Sequence, residues 1–302
     1  MTGRLAVLGS TGLLGPAVVD HFNAAGWVVI EGRRPGVDAA DPRSVGQWLG
    51  AAAPDVLLVC AAMTGGVADN LARPADFMAR NLAIATASLV TARAFKGLRV
   101  IYCSSAAAYG DPAPEPLREA DLGGWPAESS HPGYGAAKLA GAQLCQLVRR
   151  QDSADWCALM LGNLYGLDPR QRGERANVIP ALVGRFREAR RIGADSVSVW
   201  GTGAARRSFL HVRDAARALA LVLDAGLPED GVLNLAGARE VSIADLAGKV
   251  ARACRFDGEI IFDAGKPDGR SSRRLDLTRL TAMGFEEVVA LEDGLEALAA
   301  AH

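Results

Sequence analysis

No excess of either charge is present in this sequence. Lys plus Arg number 33 against Asp plus Glu 34, a formal net charge of −1 over 302 residues. A global field that recruits nucleic acid or an anionic membrane is thereby excluded. The five cysteines (Cys60, Cys103, Cys145, Cys157, Cys254) are odd in number and widely spread, without CxxC or Cys/His ligand spacing. They read as reduced, mostly buried thiols rather than disulfides or metal ligands, which fits a cytoplasmic protein. No apolar run reaches the ~18 residues of a membrane span, and no basic and apolar signal segment precedes the first strand pattern. Internal repeats and low-complexity tracts are also missing. A cytoplasmic location with no membrane or nucleic-acid partner is the expectation. What remains is ordinary globular material, 50% hydrophobic and 22% charged, long enough for one large α/β domain or two smaller ones.

The first informative stretch is Gly9-Ser-Thr11-Gly12-Leu13-Leu14-Gly15, between the apolar run Arg4 to Leu8 and an amphipathic helical pattern from Pro16 to Ala25. Strand, glycine turn and helix are the context of a dinucleotide phosphate loop: backbone N–H groups approach the pyrophosphate, and the helix N-terminus attracts its charge. The spacing is GxxGxxG. A second strand, Trp27 to Glu31, runs into Arg33 and Arg34, where arginine suits the 2′-phosphate of NADP; Glu31 leaves NAD open. Asp38 and Asp41 follow, placed either to meet the adenine or to cap the next helix near Pro42.

Asp55 to Cys60 reads as a buried parallel strand. It ends in Ala61, Ala62, Met63 and glycines, small residues against which a cofactor can lie. A long helix from Pro74 to Phe95 contains Asn81, either a surface residue or a bridge across a buried backbone gap. Arg99 to Cys103 is a fourth strand and delivers Ser104 and Ser105 to its carboxyl end, where ligands bind in a doubly wound sheet. Residues 110–132 read as a surface loop and a candidate lid. After a helix to Arg150 and a strand Trp156 to Leu161, the order loosens into an irregular segment from Asn163. There follow an arginine-rich helix (Val178 to Arg191), a short strand (Ser196 to Trp200), a basic loop through Arg206 and Arg207, and a helix to Ala225. Strand Val232 to Leu235, a helix capped by Ser242, strand Glu259 to Phe262 and helix Leu291 to Ala300 complete the chain. The alternation predicts a Rossmann-type α/β fold: a doubly wound parallel sheet with a smaller mixed α/β substrate-binding lobe. Residues 1–165, with 208–238 returning, form the dinucleotide domain, and 166–207 plus 239–302 the lobe.

The chemistry is carried by Tyr134-Gly-Ala-Ala-Lys138. On a helix, four residues place both side chains on one face. A neighbouring ammonium favours the phenolate and brings a tyrosine toward the working range, which makes Tyr134 a candidate general acid.

The glycine loop, Ser104 and the Tyr134/Lys138 pair, in that order, resemble the extended short-chain dehydrogenase/reductase family. The resemblance implies that Ser104 hydrogen-bonds a substrate carbonyl and Tyr134 transfers the proton, while Lys138 holds the nicotinamide ribose. Within that family the chain is similar to the GDP-L-fucose synthase branch, through Ala62-Met-Thr-Gly-Gly66, Arg73-Pro-Ala-Asp-Phe77, Asn163-Leu-Tyr-Gly166, Val178-Ile-Pro-Ala-Leu182, Val199-Trp-Gly-Thr-Gly203, Arg207-Ser-Phe-Leu-His-Val212 and Lys266-Pro-Asp-Gly269. It implies a nucleotide-sugar substrate, faced by Ser105, Ala106, Asn163, Asn177, Val178, Arg185, Trp200, Arg207 and Arg273. Guanidinium groups suit a diphosphate. It also implies a homodimer through the helices containing Asn81 and Lys138.

The branch inverts C3 and C5 before reducing C4, with a cysteine two residues after its catalytic serine and a histidine before the Val-Ile-Pro-Ala-Leu stretch. Here Ala106 and Asn177 hold those positions, and neither exchanges a proton with a carbon acid. Cys103 points away from Ser104 in an extended strand. His131, three residues before Tyr134, is a substitute base or an exposed loop residue; His211 reads as structural. The expectation is an NADPH-dependent C4 ketoreductase of a nucleotide-linked, GDP-type 4-keto-6-deoxy sugar that leaves C3 and C5 alone. The alternatives are a 4-epimerase that retains NAD, and a non-catalytic dinucleotide-binding regulator.

Overall fold

The computed structural model describes residues 2–33, 35–168, 176–266 and 272–301. Its first half alternates strand and helix: β1 (Arg4–Leu8), α1 (Gly15–Ala24), β2 (Val28–Gly32), α2 (Pro42–Ala52), β3 (Val56–Val59), α3 (Val67–Ala72), α4 (Pro74–Ala92), β4 (Arg99–Cys103), α5 (Pro132–Asp152) and β5 (Trp156–Leu161). Prolines open α1, α2, α4 and α5, where the missing N–H is an orphan in any helix. The second half runs β6 (Asn163–Tyr165), α6 (Val178–Ile192), β7 (Ser196–Trp200), β8 (Arg206–His211), α7 (Val212–Ala225), β9 (Val232–Leu235), β10 (Glu240–Ser242), α8 (Ile243–Ala253), β11 (Glu259–Asp263), α9 (Thr278–Ala282) and α10 (Leu291–Ala301).

Six parallel strands form the main sheet in the order β2-β1-β3-β4-β5-β9. Its direction of growth reverses between β1 and β3, and beyond the carboxyl ends of these two strands a crevice opens for a ligand. One face of the sheet is covered by α2, α4 and α5 around Leu49, Leu57, Leu89 and Tyr102. The other is covered by α1 and α7 around Val7, Val18, Ile101 and Leu219. A third cluster, with Phe186, Val199, Leu246 and Leu295, belongs to the lobe. There β8 pairs antiparallel with β10 and parallel with β6, while β7 pairs with β11.

The lobe departs from the sequence reading in three places. Arg206 and Arg207 are strand rather than loop, and Asn163 to Tyr165 is strand rather than irregular. Three-residue β6 is too short for any alternation to show. Strand β6 and residues 208–211 of β8 lie in the second sheet although they fall in ranges assigned to the dinucleotide domain. Conversely, Leu277, Leu280, Met283 and Phe285 return to the α1/α7 side of the main sheet.

The segment expected as a lid is anchored. Leu117 bridges to Leu275, and the Leu117 N–H donates to the Arg274 carbonyl at 2.8 Å. The Tyr109 hydroxyl donates to Asn234 Oδ1 at 2.6 Å. The Asn234 amide donates in turn to the carbonyls of Leu117 and Asp276 at 2.9 and 3.0 Å. Asp111, Ser129, Ser130 and His131 of this segment line the cleft. Asn81 is buried and bridges backbone: its Oδ1 accepts from Met63 N–H at 3.0 Å, and its Nδ2 donates to Met63 and Phe77 carbonyls at 3.0 and 2.8 Å. No described helix is long and apolar enough to cross a membrane.

Candidate active site

A single cleft of about 1900 Å³ runs from the glycine loop, past Tyr134, to the arginines of the lobe. That exceeds the space of one small ligand and accommodates two. At the sheet end, Gly9 has φ +95°, and a Cβ there would stand 2.5 Å from the Ala61 backbone nitrogen. Only glycine permits that close crossing of β1 and β3 at the switch point. Thr11, Gly12, Leu13 and Leu14 line the cleft opposite Ala61 and Ala62, and Gly15 packs behind the loop against Ser10. No side chain caps α1. Its first N–H groups are thus available to an anion. This cradle fits the pyrophosphate of a dinucleotide.

Arg33 stands exposed at the rim, and Arg34 lies outside the described residues. Asp41 does not line the cleft; its carboxylate caps α2 by accepting from Arg43 N–H at 3.0 Å. Arg80, which sequence reasoning missed, lines the same rim and pairs with Asp38 at 2.7 Å. Its only sequence signal is its place beside Asn81 on α4.

At the chemical centre the two adjacent serines have different surroundings. Ser104 is 2% exposed, and its hydroxyl donates inward to the Lys138 carbonyl at 2.9 Å. The next residue, Ser105, lines the cleft, where its side chain favours ionisation of the Tyr134 phenol. Beyond β4 the chain turns into the 3-10 helix Ala106–Tyr109, capped by Ser105, whose hydroxyl oxygen accepts from Ala107 N–H. Of the two serines, Ser105 is the one whose hydroxyl is not committed to the Lys138 carbonyl. The same contrast applies two residues on: Ala106 is buried in the cluster under the sheet, and Ala107 lines the cleft. Gly135 makes this approach close, since a Cβ there would meet the Ala107 carbonyl oxygen at 2.6 Å.

Tyr134 and Lys138 share the inner face of α5, as their spacing predicts. Their electrostatics differ from the expectation. The ammonium donates to the Cys103 carbonyl at 2.7 Å and sits 4.9 Å over the Tyr102 ring and 5.8 Å over that of Tyr134. Burial pushes the Tyr134 phenol up to about 12, against the opposing pull of Ser105. Burial also brings Lys138 down to about 8. Desolvation is the largest influence on both groups, so the phenol is a held proton rather than a near-neutral phenolate.

At the lobe end Asn163, Asn177, Val178, Arg185, Trp200, Arg207 and Arg273 all line the cleft. Asn163 donates to the Ser208 carbonyl at 3.0 Å, fastening β6 to β8. Arg185 stacks over Trp200 at 5.6 Å, as does Lys266. Of the arginine run on α6, Arg185 alone lines this cleft: Arg187 donates to the Ala299 carbonyl and Arg191 pairs with Glu188. Arg273 is ion-paired with Glu128, itself 1% exposed, and its Nε is buried without a hydrogen-bond partner. His131 is a cleft residue rather than an exposed loop residue. His211 caps α7 through Arg213 N–H and packs edge-on against Tyr165. Residues 267–269 of the matched stretch that begins at Lys266 lie outside the described residues.

A family profile described as "NAD dependent epimerase/dehydratase family" matches residues 5–236. The chain is 34% identical over 297 residues to "Probable GDP-L-fucose synthase 1" of Oryza sativa subsp. japonica, covering 97% of this chain and 90% of that one. It is 32% identical over 301 residues to the GDP-L-fucose synthase of Escherichia coli (strain K12), covering 97% and 94%. Among solved structures, the GDP-mannoheptose C4 reductase from Campylobacter jejuni with NADP bound superposes with a TM-score of 0.87 at 24% identity, covering 100% of this chain and 99% of that one.

Proposed function

The chain belongs to the NAD-dependent epimerase/dehydratase family and is an oxidoreductase, and from that premise we propose that it is an NADPH-dependent reductase of the C4 carbonyl of a GDP-linked 4-keto-6-deoxy sugar, acting without epimerisation at C3 or C5. The observation that carries this reading is the lining of the cleft: Ser105 and Tyr134 share it, while Ala107 and Asn177, also on it, offer no ionisable group for proton exchange at carbon.

The dinucleotide supplies the hydride. Ser105 donates a hydrogen bond to the carbonyl oxygen as negative charge develops there. Tyr134 delivers its phenolic proton to that oxygen; a phenol held near 12 remains acid enough to protonate a sugar alkoxide. Lys138, anchored on the Cys103 carbonyl, keeps a cation beside the phenolate left behind. Arg33 and Arg80 favour a 2′-phosphorylated dinucleotide, since two guanidinium groups at the rim offset its charge. Arg185, Arg207 and Arg273 suit the diphosphate of the sugar nucleotide. The relatives named for GDP-L-fucose synthesis support the GDP-sugar class.

The experiment is incubation with NADPH and GDP-4-keto-6-deoxymannose, with the products identified by NMR. NADPH consumption with a single C4 alcohol is expected. A tightly bound NAD that turns over without added cofactor would instead favour the 4-epimerase reading.

A further inference from the structure

His131 is one of four histidines, and it is built into the cleft with unusual care. It occupies the N-cap position of α5, and its ring lies 6.3 Å from that of Tyr134. Its side chain is 17% exposed. Its Nδ1 is 2.8 Å from the Ser130 hydroxyl oxygen, and that hydroxyl donates its proton to the Glu128 carboxylate. A hydroxyl has one proton, so with Glu128 receiving it, Ser130 accepts from the histidine. Nδ1 therefore carries hydrogen, and Nε2 carries the lone pair. The carboxylate at the end of this chain is committed to the Arg273 guanidinium, so it does not hold an imidazolium. Burial, with the facing Arg207, keeps the ring neutral down to about pH 4. Such a ring is too weak a base to remove a proton from carbon, but it is a good hydrogen-bond acceptor.

We propose that His131 is a specificity-determining residue for the sugar: its Nε2, presented by the Glu128–Ser130–His131 chain, accepts a hydrogen bond from a ring hydroxyl of the nucleotide sugar beside the carbonyl that Tyr134 protonates. The proposal rests on the nucleotide-sugar reading above and deepens it. A buried acceptor of this kind discriminates against sugars lacking that hydroxyl, because its lone pair would be left unmatched. The charged and titratable groups around it are Glu128, Arg273, Arg207 and Tyr134.

Two measurements test it. In wild-type protein with 15N-labelled histidine, the His131 ring should show the Nδ1–H tautomer, and its Nε2 resonance should move on adding GDP-mannose in the presence of NADP. By calorimetry, His131→Phe should weaken GDP-mannose binding about tenfold while binding of GDP is unchanged; Ser130→Ala should produce part of that loss. An Nε2–H tautomer in the wild type, or equal loss of GDP and GDP-mannose affinity in His131→Phe, would overturn the proposal. Failure of the wild type to bind GDP at all would overturn the nucleotide-sugar reading itself, and this proposal with it.

Discussion

Two adjacent serines at the end of β4 show how far single residues can be read from a sequence. The strand and its carboxyl end were legible, because Arg99 to Cys103 is a plain apolar run and ligands gather beyond such ends. Which serine faces the ligand was not, because it depends on where strand pleat gives way to 3-10 turn. Ser104 continues the strand and turns inward to the Lys138 carbonyl, while Ser105 caps the turn and meets Tyr134. Ser105→Ala is therefore expected to lower kcat by about 10²–10³-fold, the cost of losing one donor to a developing oxyanion. Ser104→Ala should lower Tm with a smaller effect on kcat. Steady-state kinetics with thermal melts separate the two. Tyr134→Phe should abolish turnover and leave NADPH binding intact. The Lys138 shift has two consequences of opposite sense. Burial brings the Lys138 ammonium down to about 8, so kcat/KM for reduction should fall above about that pH, well before Tyr134 ionises; a descending limb near the ordinary lysine value of 10.5 would contradict this. For stability, the folded pKa lies below the unfolded one, so the cost of burying the charge is full below pH 8 and is relieved as pH rises toward 10.5. Lys138→Met should accordingly raise Tm at pH 7 and lose that advantage by pH 10.5.

At the scale of elements, helices were more legible than the strands of the lobe. Proline at the first turn and 3.6-residue periodicity mark α4, α5 and α6, whereas β6 and β10 are three residues each and carry no periodicity to detect. Their pairing with β8 comes from the tertiary fold. The arginine run on α6 illustrates the same limit: helical spacing turns Arg185 toward Trp200 and the cleft, and turns Arg187 to a carbonyl on α10. Helices α4 and α5 position the chemistry. Asn81→Ala would leave the Met63 and Phe77 backbone groups without the bonds of 2.8 to 3.0 Å that they make to this side chain, a destabilisation of about 2–3 kcal/mol by denaturant unfolding. Gly135→Ala would drive a methyl group against the Ala107 carbonyl. It should push α5 off the turn and depress kcat far more than the affinity for NADPH.

For the whole molecule, the cleft is a joint product of sheet and lobe. Its lining runs from the glycine loop past Tyr134 to the arginines of the lobe, and the 110–132 segment beside it is tied down through Leu117, Asn234 and the Arg273–Glu128 pair. The outer faces of α4 and α5 expose Met78, Val90 and Leu147, and a homodimer through them remains a proposal; sedimentation equilibrium should give a dimer mass that Val90→Asp with Leu147→Asp reduces to a monomer. Neither Ala107 nor Asn177 can exchange a proton with carbon. Installing both groups, Ala107→Cys with Asn177→His, should introduce proton exchange at sugar carbon. The most direct test is the wild-type reaction with NADPH and GDP-4-keto-6-deoxymannose in heavy water, read by NMR of the product. The account predicts a C4 alcohol with no solvent deuterium at C3 or C5; deuterium at either carbon would contradict it.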